Sequence, residues 1–412
     1  MLRMNVPPKD VGKNGLTPND EAEIAIIGLQ KPIVFSIPSI QADGRKTNII
    51  AAAYEGVRRN LKSAPLPVLL PTPPPSYELR DALGKGLGLF AKQNIATGEL
   101  ILVERPVFFY PSLIIGANPV AIYEEIWNSL SPHARIAIKS LKNVKDRHVP
   151  SFMGTTGTNA FGISPPGGKE KYGGLFVVAS RINHRSVTSL RSITQDAVLK
   201  KSVSCGPNTT QSFNPDLFVL CIQAVRPIAA GEEITLAYES LTIPRADRFF
   251  DLERKYKFFC TCQQCVNPSP DSDKNRKLYG LADFKSMRMD LQLSRIRFEK
   301  NRKKLYVKLI RKGLNILAKE GLEAGSYTIP YYHGLIEFYG SIGDQERMRY
   351  WGFKGLLLSA ISLSSGQRIT YRVDEWVDWL MDPQKNFPNW NSGNRNHSTV
   401  GTQLTPLCNL KL

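Results

Sequence analysis

The sequence predicts an α+β protein in which small β-sheets surround a helical insert and a helical region follows. Three observations support this. Short β-prone runs set off by glycine recur between Tyr77 and Tyr238, among them Leu83–Phe90 (LGKGLGLF) and Ile234–Tyr238. Apolar residues recur at helical spacing in Val120–Leu130 and Ala134–Leu141, and the chain reads as helical again from Cys265 to about Leu380. Between the two regions stands a cysteine trio, Cys260, Cys262 and Cys265, with the spacing C-x-C-x2-C.

In chain order, residues 1–76 read as an N-terminal extension. It holds two apolar runs, Ile24–Leu29 and Ile33–Ile40, and then Ala64–Pro75 (APLPVLLPTPPP), whose six prolines make a stiff, extended linker. Leu83–Phe90 places three glycines where a hairpin bends closely around something, since glycine accepts positive φ and lets backbone approach a ligand. Ile95–Gly98 is a turn, and Glu99–Val103 and Pro106–Tyr110 are strand-like. The helical insert spans about 111–150. Leu175–Ile182 is a strand-like apolar run leading into Asn183-His184, and Leu217–Ile222 is another. A polar helix rich in Arg and Asp follows Tyr238 and ends in the aromatic residues before Cys260. Tyr331–Ser359 reads as two helices about a turn at Ser341–Asp344. Asp382–Leu412, rich in Asn, Ser, Gly and Pro, reads as a flexible tail. The expected divisions are 1–76, 77–245, 246–268, 269–381 and 382–412.

At 412 residues the chain is long enough for two or three domains and a sizeable core. Its composition, 42% hydrophobic and 22% charged, is that of a soluble globular protein. No apolar run approaches the roughly 18 residues of a membrane span, and the N-terminus MLRMNVPPKDVGKNG lacks a secretory core. Six cysteines, half of them in one cluster, suit a reducing compartment, so a nuclear or cytoplasmic location is expected. The net charge is +18, and Lys274–Glu320 holds 15 Lys or Arg against 4 Asp or Glu, a local excess of +11. Its runs Lys300–Lys304 and Lys308–Lys312 suit either a solvated helix face or a weak contact with nucleic acid or chromatin.

The cysteine spacing suits a metal, because a tight turn lets neighbouring sulfurs converge on one zinc. Three thiolates leave tetrahedral zinc one ligand short. Of the other cysteines, Cys221 sits in an apolar run and Cys408 lies near the C-terminus, whereas Cys205 sits in an exposed Gly-Pro turn (SCGPN) and is the best fourth ligand. A closed four-thiolate site has no open position, so the zinc is expected to be structural.

GEEITLAY at Gly231–Tyr238, followed by Y-x-F-x-C-x-C-x2-C from Tyr256 to Cys265, resembles the end of a SET domain with its post-SET zinc segment. The likeness covers roughly Leu83–Cys265 and is nearest to the SET-and-MYND type and its fungal relatives, although the remaining Cys and His are too scattered for a MYND finger. It implies a SET β-fold with a helical insert and post-SET segment, and protein-lysine methylation from S-adenosylmethionine. It also implies site residues. Tyr238 would stand beside the methyl group as the catalytic tyrosine. Lys85, Gly86 and Leu87 in the glycine hairpin, Asn159 in Asn-Ala-Phe-Gly-Ile, Asn183, His184 and Phe258 would hold the cofactor. The implied partner is a lysine-bearing protein, histone or non-histone, with no membrane contact.

The family's motif Asn-His-Ser-Cys-x-Pro-Asn is interrupted here. Asn183-His184 is followed by Arg185–Val203, and Ser204-Cys205-Gly206-Pro207-Asn208 then resumes it; removing the 19 residues restores NHSCGPN. Arg185–Val203 is either a surface loop or translated non-coding sequence, and its lack of Gly and Pro favours the second. The interruption leaves a second functional reading, a catalytically impaired SET-domain scaffold bound to chromatin.

Overall fold

The computed structural model describes residues 31–40, 46–63, 65–69, 74–184, 206–280, 303–322, 328–364 and 373–392. Cys205, Cys408, the run Ile24–Leu29, the interruption 185–203 and residues 300–302 of the first basic run fall outside them.

Strand β1 (Ile33–Ile40) and strand β2 (Lys46–Ala53) form an antiparallel pair, followed by helix α1 (Glu55–Ser63). In α1, Val57 and Leu61 are one turn apart and both buried, while Glu55 in the first turn holds Arg58 at 2.9 Å. Next come β3 (Tyr77–Ala82), β4 (Gly86–Ala91), β5 (Leu100–Glu104) and β6 (Phe108–Pro111). The insert contains α2 (Pro119–Ser129), α3 (Pro132–Lys139) and α4 (Ser151–Asn159). Asn118 and Ser131 cap α2 and α3 by accepting the amides of Val120 and Ala134, and each helix opens on proline. Strands β7 (Phe161–Ile163), β8 (Tyr172–Leu175), β9 (Asn183–His184), β10 (Thr209–Asn214), β11 (Val219–Ala224) and β12 (Glu233–Leu236) complete the β region.

Three sheets result among the described residues: β1-β2-β6-β8-β7, β10-β11-β5 and β3-β4-β12-β9. Their shared core is built from Leu89, Phe109, Phe176, Ile222 and Ile234, and a second cluster, around Phe108, Tyr123 and Ile126, sits under the insert. Because β2 pairs in parallel with β6, one sheet crosses the expected division at residue 76. Arg105 fastens that junction. Its buried guanidinium donates to Ser39 Oγ, to the carbonyls of Ile40 and Pro67, and to that of Leu217.

Two expectations are corrected. Leu175–Ile182 is not one strand, because β8 ends at Leu175 and a 3-10 turn, Ala179–Arg181, precedes Asn183. The Glu104 carboxylate accepts the amides of Val178 and Ala179 at 2.9 Å each, which favours the turn over a ladder. The tail does not begin at Asp382. Asp382 caps α12 (Pro383–Asn386), and Phe387 is buried in the C-terminal core.

After β12 the chain is helical: α5 (Arg245–Tyr256), α6 (Gln263–Val266), α7 (Ser272–Gly280), α8 (Lys303–Glu320), α9 (Ile329–Ser341), α10 (Gln345–Ser364) and α11 (Val373–Met381). The turn between α9 and α10 falls as expected from the sequence. Close packing there needs small residues. A Cβ on Gly352 would lie 2.3 Å from Leu380, and one on Gly355 2.6 Å from Trp376.

Candidate active site

The site is organised by β12. It pairs antiparallel with β4 (Glu233 opposite Phe90, Ile234 opposite Leu89) and parallel with β9 (Thr235 opposite Asn183, Leu236 opposite His184). The glycine hairpin, the Asn-His pair and the run toward Tyr238 therefore share one sheet.

At one end the side chains are polar. Lys85 Nζ lies 2.7 Å from Glu233 Oε2, and Asn183 Nδ2 donates to Glu233 Oε1 at 2.9 Å and to the Leu87 carbonyl at 3.3 Å. Gly86 has φ +84°, and a Cβ there would meet nothing within 4 Å. At Gly88 a Cβ would lie 2.8 Å from Asn183 Nδ2 and 3.1 Å from both Glu233 Oε1 and Ala82 Cβ, so the close approach requires glycine.

At the other end the side chains are aromatic. The Tyr238 ring lies 5.4 Å from His184, 4.8 Å from Tyr256 and 6.4 Å from Phe258; His184 and Phe258 are 5.6 Å apart. The Tyr238 hydroxyl donates to the Ile182 carbonyl at 2.9 Å, and its amide donates to His184 Nδ1 at 3.2 Å. An accepting Nδ1 puts the ring proton of neutral His184 on Nε2, which is buried without a partner among the described residues. Burial, helped by the neighbouring Tyr256 ring, pushes the half-buried Tyr238 phenol well above the ordinary value. Tyr256 is pushed up to about 12 by burial and then by the Glu239 and Asp251 carboxylates. Both phenols are neutral near pH 7.

Tyr256 is the last residue of α5. Lys257 adopts the left-handed conformation (φ +58°) and turns the chain so that Phe258 enters the cluster. Lys145, from the insert, donates to the Lys255 carbonyl at 2.7 Å and fastens that helix end. The three cysteines come next, all buried, with their sulfurs within 4.8 Å of one another. Zinc–sulfur bonds of about 2.3 Å put tetrahedral ligands roughly 3.8 Å apart, so the trio fits one zinc. Buried Arg248 brings Nη2 to 3.9 Å from Cys265 Sγ, a cation suited to a thiolate rather than a neutral thiol.

Asn159, expected beside the cofactor, has its side-chain amide engaged locally. The Asn159 amide donates to the Lys142 and Thr155 carbonyls at 2.7 Å each, within the insert. Cys205 lies outside the described residues. One residue to which the sequence alone assigned no role is central. Buried Asn208 accepts the Thr235 amide at 2.7 Å and donates to the Glu233 carbonyl at 2.8 Å, clamping β12 from behind. Its place at the end of the resumed motif was the available signal. Within the basic segment, Arg276 is buried against Glu320 at 3.1 Å and is not offered to a partner.

The SET domain family model matches residues 86–239, and this stretch of the chain is a SET domain. Several relatives carry the methyltransferase name. Histone-lysine N-methyltransferase set5 of Schizosaccharomyces pombe is 28% identical over 209 residues, 51% of this chain and 54% of that protein. Protein-lysine N-trimethyltransferase SMYD5 of Danio rerio is 31% identical over 103 residues, 24% of this chain and 20% of that protein. Histone-lysine N-methyltransferase SMYD3 of Mus musculus is 37% identical over 70 residues, 17% of this chain and 16% of that protein. The chain thus spans about half the length of the first and a fifth or less of the others. The resemblance read from the motifs is borne out, as is the α+β fold with a helical C-terminal region. The relatives that share this domain include proteins named as histone-lysine and protein-lysine methyltransferases. No helix among the described residues is long and apolar enough to cross a membrane.

Proposed function

We propose that the chain is an S-adenosylmethionine-dependent protein-lysine N-methyltransferase acting on histone or non-histone protein in the nucleus or cytoplasm. The observation that carries this reading is the setting of Tyr238: a neutral, half-buried phenol hydrogen-bonded to Ile182, beside His184, Tyr256 and Phe258.

The residues suit the cofactor. Its amino-acid end carries both charges, which Glu233 and Lys85 complement with Asn183 and the open Gly86 turn beside them. Its base has a flat face and a polar edge, suited to Phe258 and to the Nε2–H of buried His184, which has no partner among the described residues. When bound, S-adenosylmethionine supplies a methyl group on a positively charged sulfur leaving group. The remaining work falls to the chain. A lysine amine must arrive uncharged with its lone pair in line, and a desolvated aromatic site favours loss of its proton to water. Tyr238 donates to Ile182 and keeps its oxygen lone pairs free, so it can accept from the amine and complement developing positive charge as a neutral dipole, not as a base.

Zinc would be held by Cys260, Cys262 and Cys265 with Cys205 as fourth ligand, and would fix Phe258 rather than react. The relatives named as histone-lysine methyltransferases support a histone among the substrates. The test is transfer of labelled methyl from S-adenosylmethionine to mixed core histones and to total cell protein. Tyr238→Phe should lower the rate at least about 100-fold while leaving donor affinity within about threefold. Donor binding without transfer to any protein would favour the scaffold reading, and no donor binding would overturn both the cofactor and the reaction.

A further inference from the structure

We propose that Glu104 is a positioning residue for this site: its carboxylate clamps the turn that presents Ile182, Asn183 and His184, and it must be ionised to do so. The inference rests on the methyl-transfer reading and adds a residue that touches neither cofactor nor substrate.

Glu104 ends β5, opposite Leu220 of β11. Each of its two oxygens accepts one amide, from Val178 and from Ala179, both at 2.9 Å. Inside the turn, the Arg181 and Ile182 amides already donate to the Val178 and Ala179 carbonyls. The two amides held by Glu104 would otherwise be left over at the start of that turn. The next residues are those of the site. The Ile182 carbonyl receives the Tyr238 hydroxyl, and Asn183 and His184 pair with β12. Movement of the turn therefore moves the acceptor that aims the tyrosine.

No cation balances this carboxylate among the described residues. The neighbouring Arg105 points its guanidinium at Ser39, Ile40, Pro67 and Leu217. The titratable group coupled to Glu104 is the Tyr77 phenol at the start of β3, and its remaining contacts are backbone amides. Burial without a cation raises the Glu104 carboxyl from 4.5 to about 7, against the opposing pull of the amides.

The consequence has two opposite signs. A folded value raised above the unfolded one makes this group's contribution to global stability full below about 4.5 and lost as pH rises through about 7. Order at the site runs the other way. Once protonated, one oxygen carries a hydrogen that faces an amide N–H, so one of the two clamping bonds fails. Donor affinity then falls with the ionised fraction, several-fold from about pH 8 to about pH 6, because the remaining bond holds the turn less firmly. A residue that merely filled space would not produce these opposed trends.

The test uses the full chain and S-adenosylhomocysteine, titrated by calorimetry at about pH 6, 7 and 8, with parent protein and Glu104→Gln. The amide side chain keeps one acceptor and does not titrate. The variant should bind several-fold more weakly than the parent at about pH 8 and lack the parent's additional several-fold slope. The ligand's own amino group titrates in both proteins and cancels in the difference. Equal slopes would overturn the proposal. Amide hydrogen exchange of the parent over residues 177–184, corrected for intrinsic pH dependence, tests it without a variant. Protection should fall with acid there while rising or holding elsewhere, and unchanged protection at 178 and 179 would overturn it. A parent that binds no ligand at any pH would sink the methyl-transfer reading, and the exchange measurement would still decide the clamp.

Discussion

The two ends of the site are held by different physics. The polar end is made by backbone pairing: β4, β12 and β9 lie in one sheet, and Lys85, Glu233 and Asn183 meet because the register sets them side by side. The aromatic end is assembled from separate pieces. Tyr256 and Phe258 come from α5 and its turn, the insert fastens that helix through Lys145, and the buried thiols anchor the chain just beyond Phe258. The first is a consequence of strand geometry. On the zinc reading proposed above, the second depends on a metal site closed between the trio and Cys205, so perturbations should separate the two.

Loss of the metal should break the comparison most severely. Cys262→Ser, or prolonged chelation, should lower donor affinity at least about 100-fold, because ligand binding and local folding are coupled in such sites. Hydrogen exchange in the β3–β4 hairpin should stay close to parental. Equal collapse at both ends would mean that they fold as one unit. A smaller effect is expected from Gly88→Ala, whose Cβ displaces the Asn183 amide and meets Ala82: about 1–3 kcal/mol of stability and about tenfold in donor affinity, with the zinc content unchanged. The smallest is expected from Glu233→Gln, which leaves the register intact but removes the anion paired with Lys85. Donor affinity should fall about threefold to tenfold, with little change in melting temperature. A larger loss of stability than of affinity would show that this pair holds the sheet rather than the ligand.

Much of this site could be read from the sequence because its residues lie in short, ordered motifs. Asn183-His184, Tyr238, Phe258 and the cysteine trio are local patterns, and β12 makes them neighbours. The positioning residues could not be read this way. Glu104 acts on amides 74 and 75 residues away, Lys145 acts on a carbonyl 110 residues away, and neither has a pattern that marks its target. The same holds for the turn at Ala179–Arg181. Its residues are apolar enough for a strand, and a distant carboxylate decides otherwise. The run Ile33–Ile40 looked like part of an appendage because nothing local shows that β2 will pair with β6. Phe387 lay in a composition that suggested disorder, and tertiary burial overrode that suggestion.

The two flanks of residues 185–205 dock on the same strand one position apart: His184 opposite Leu236, and Asn208 against Thr235. Each of these contacts is made by residues outside that stretch. The chain thus leaves this strand and rejoins it at one doorstep. Variants that shorten the stretch between those two points are therefore expected to keep the rungs between β9 and β12 in place.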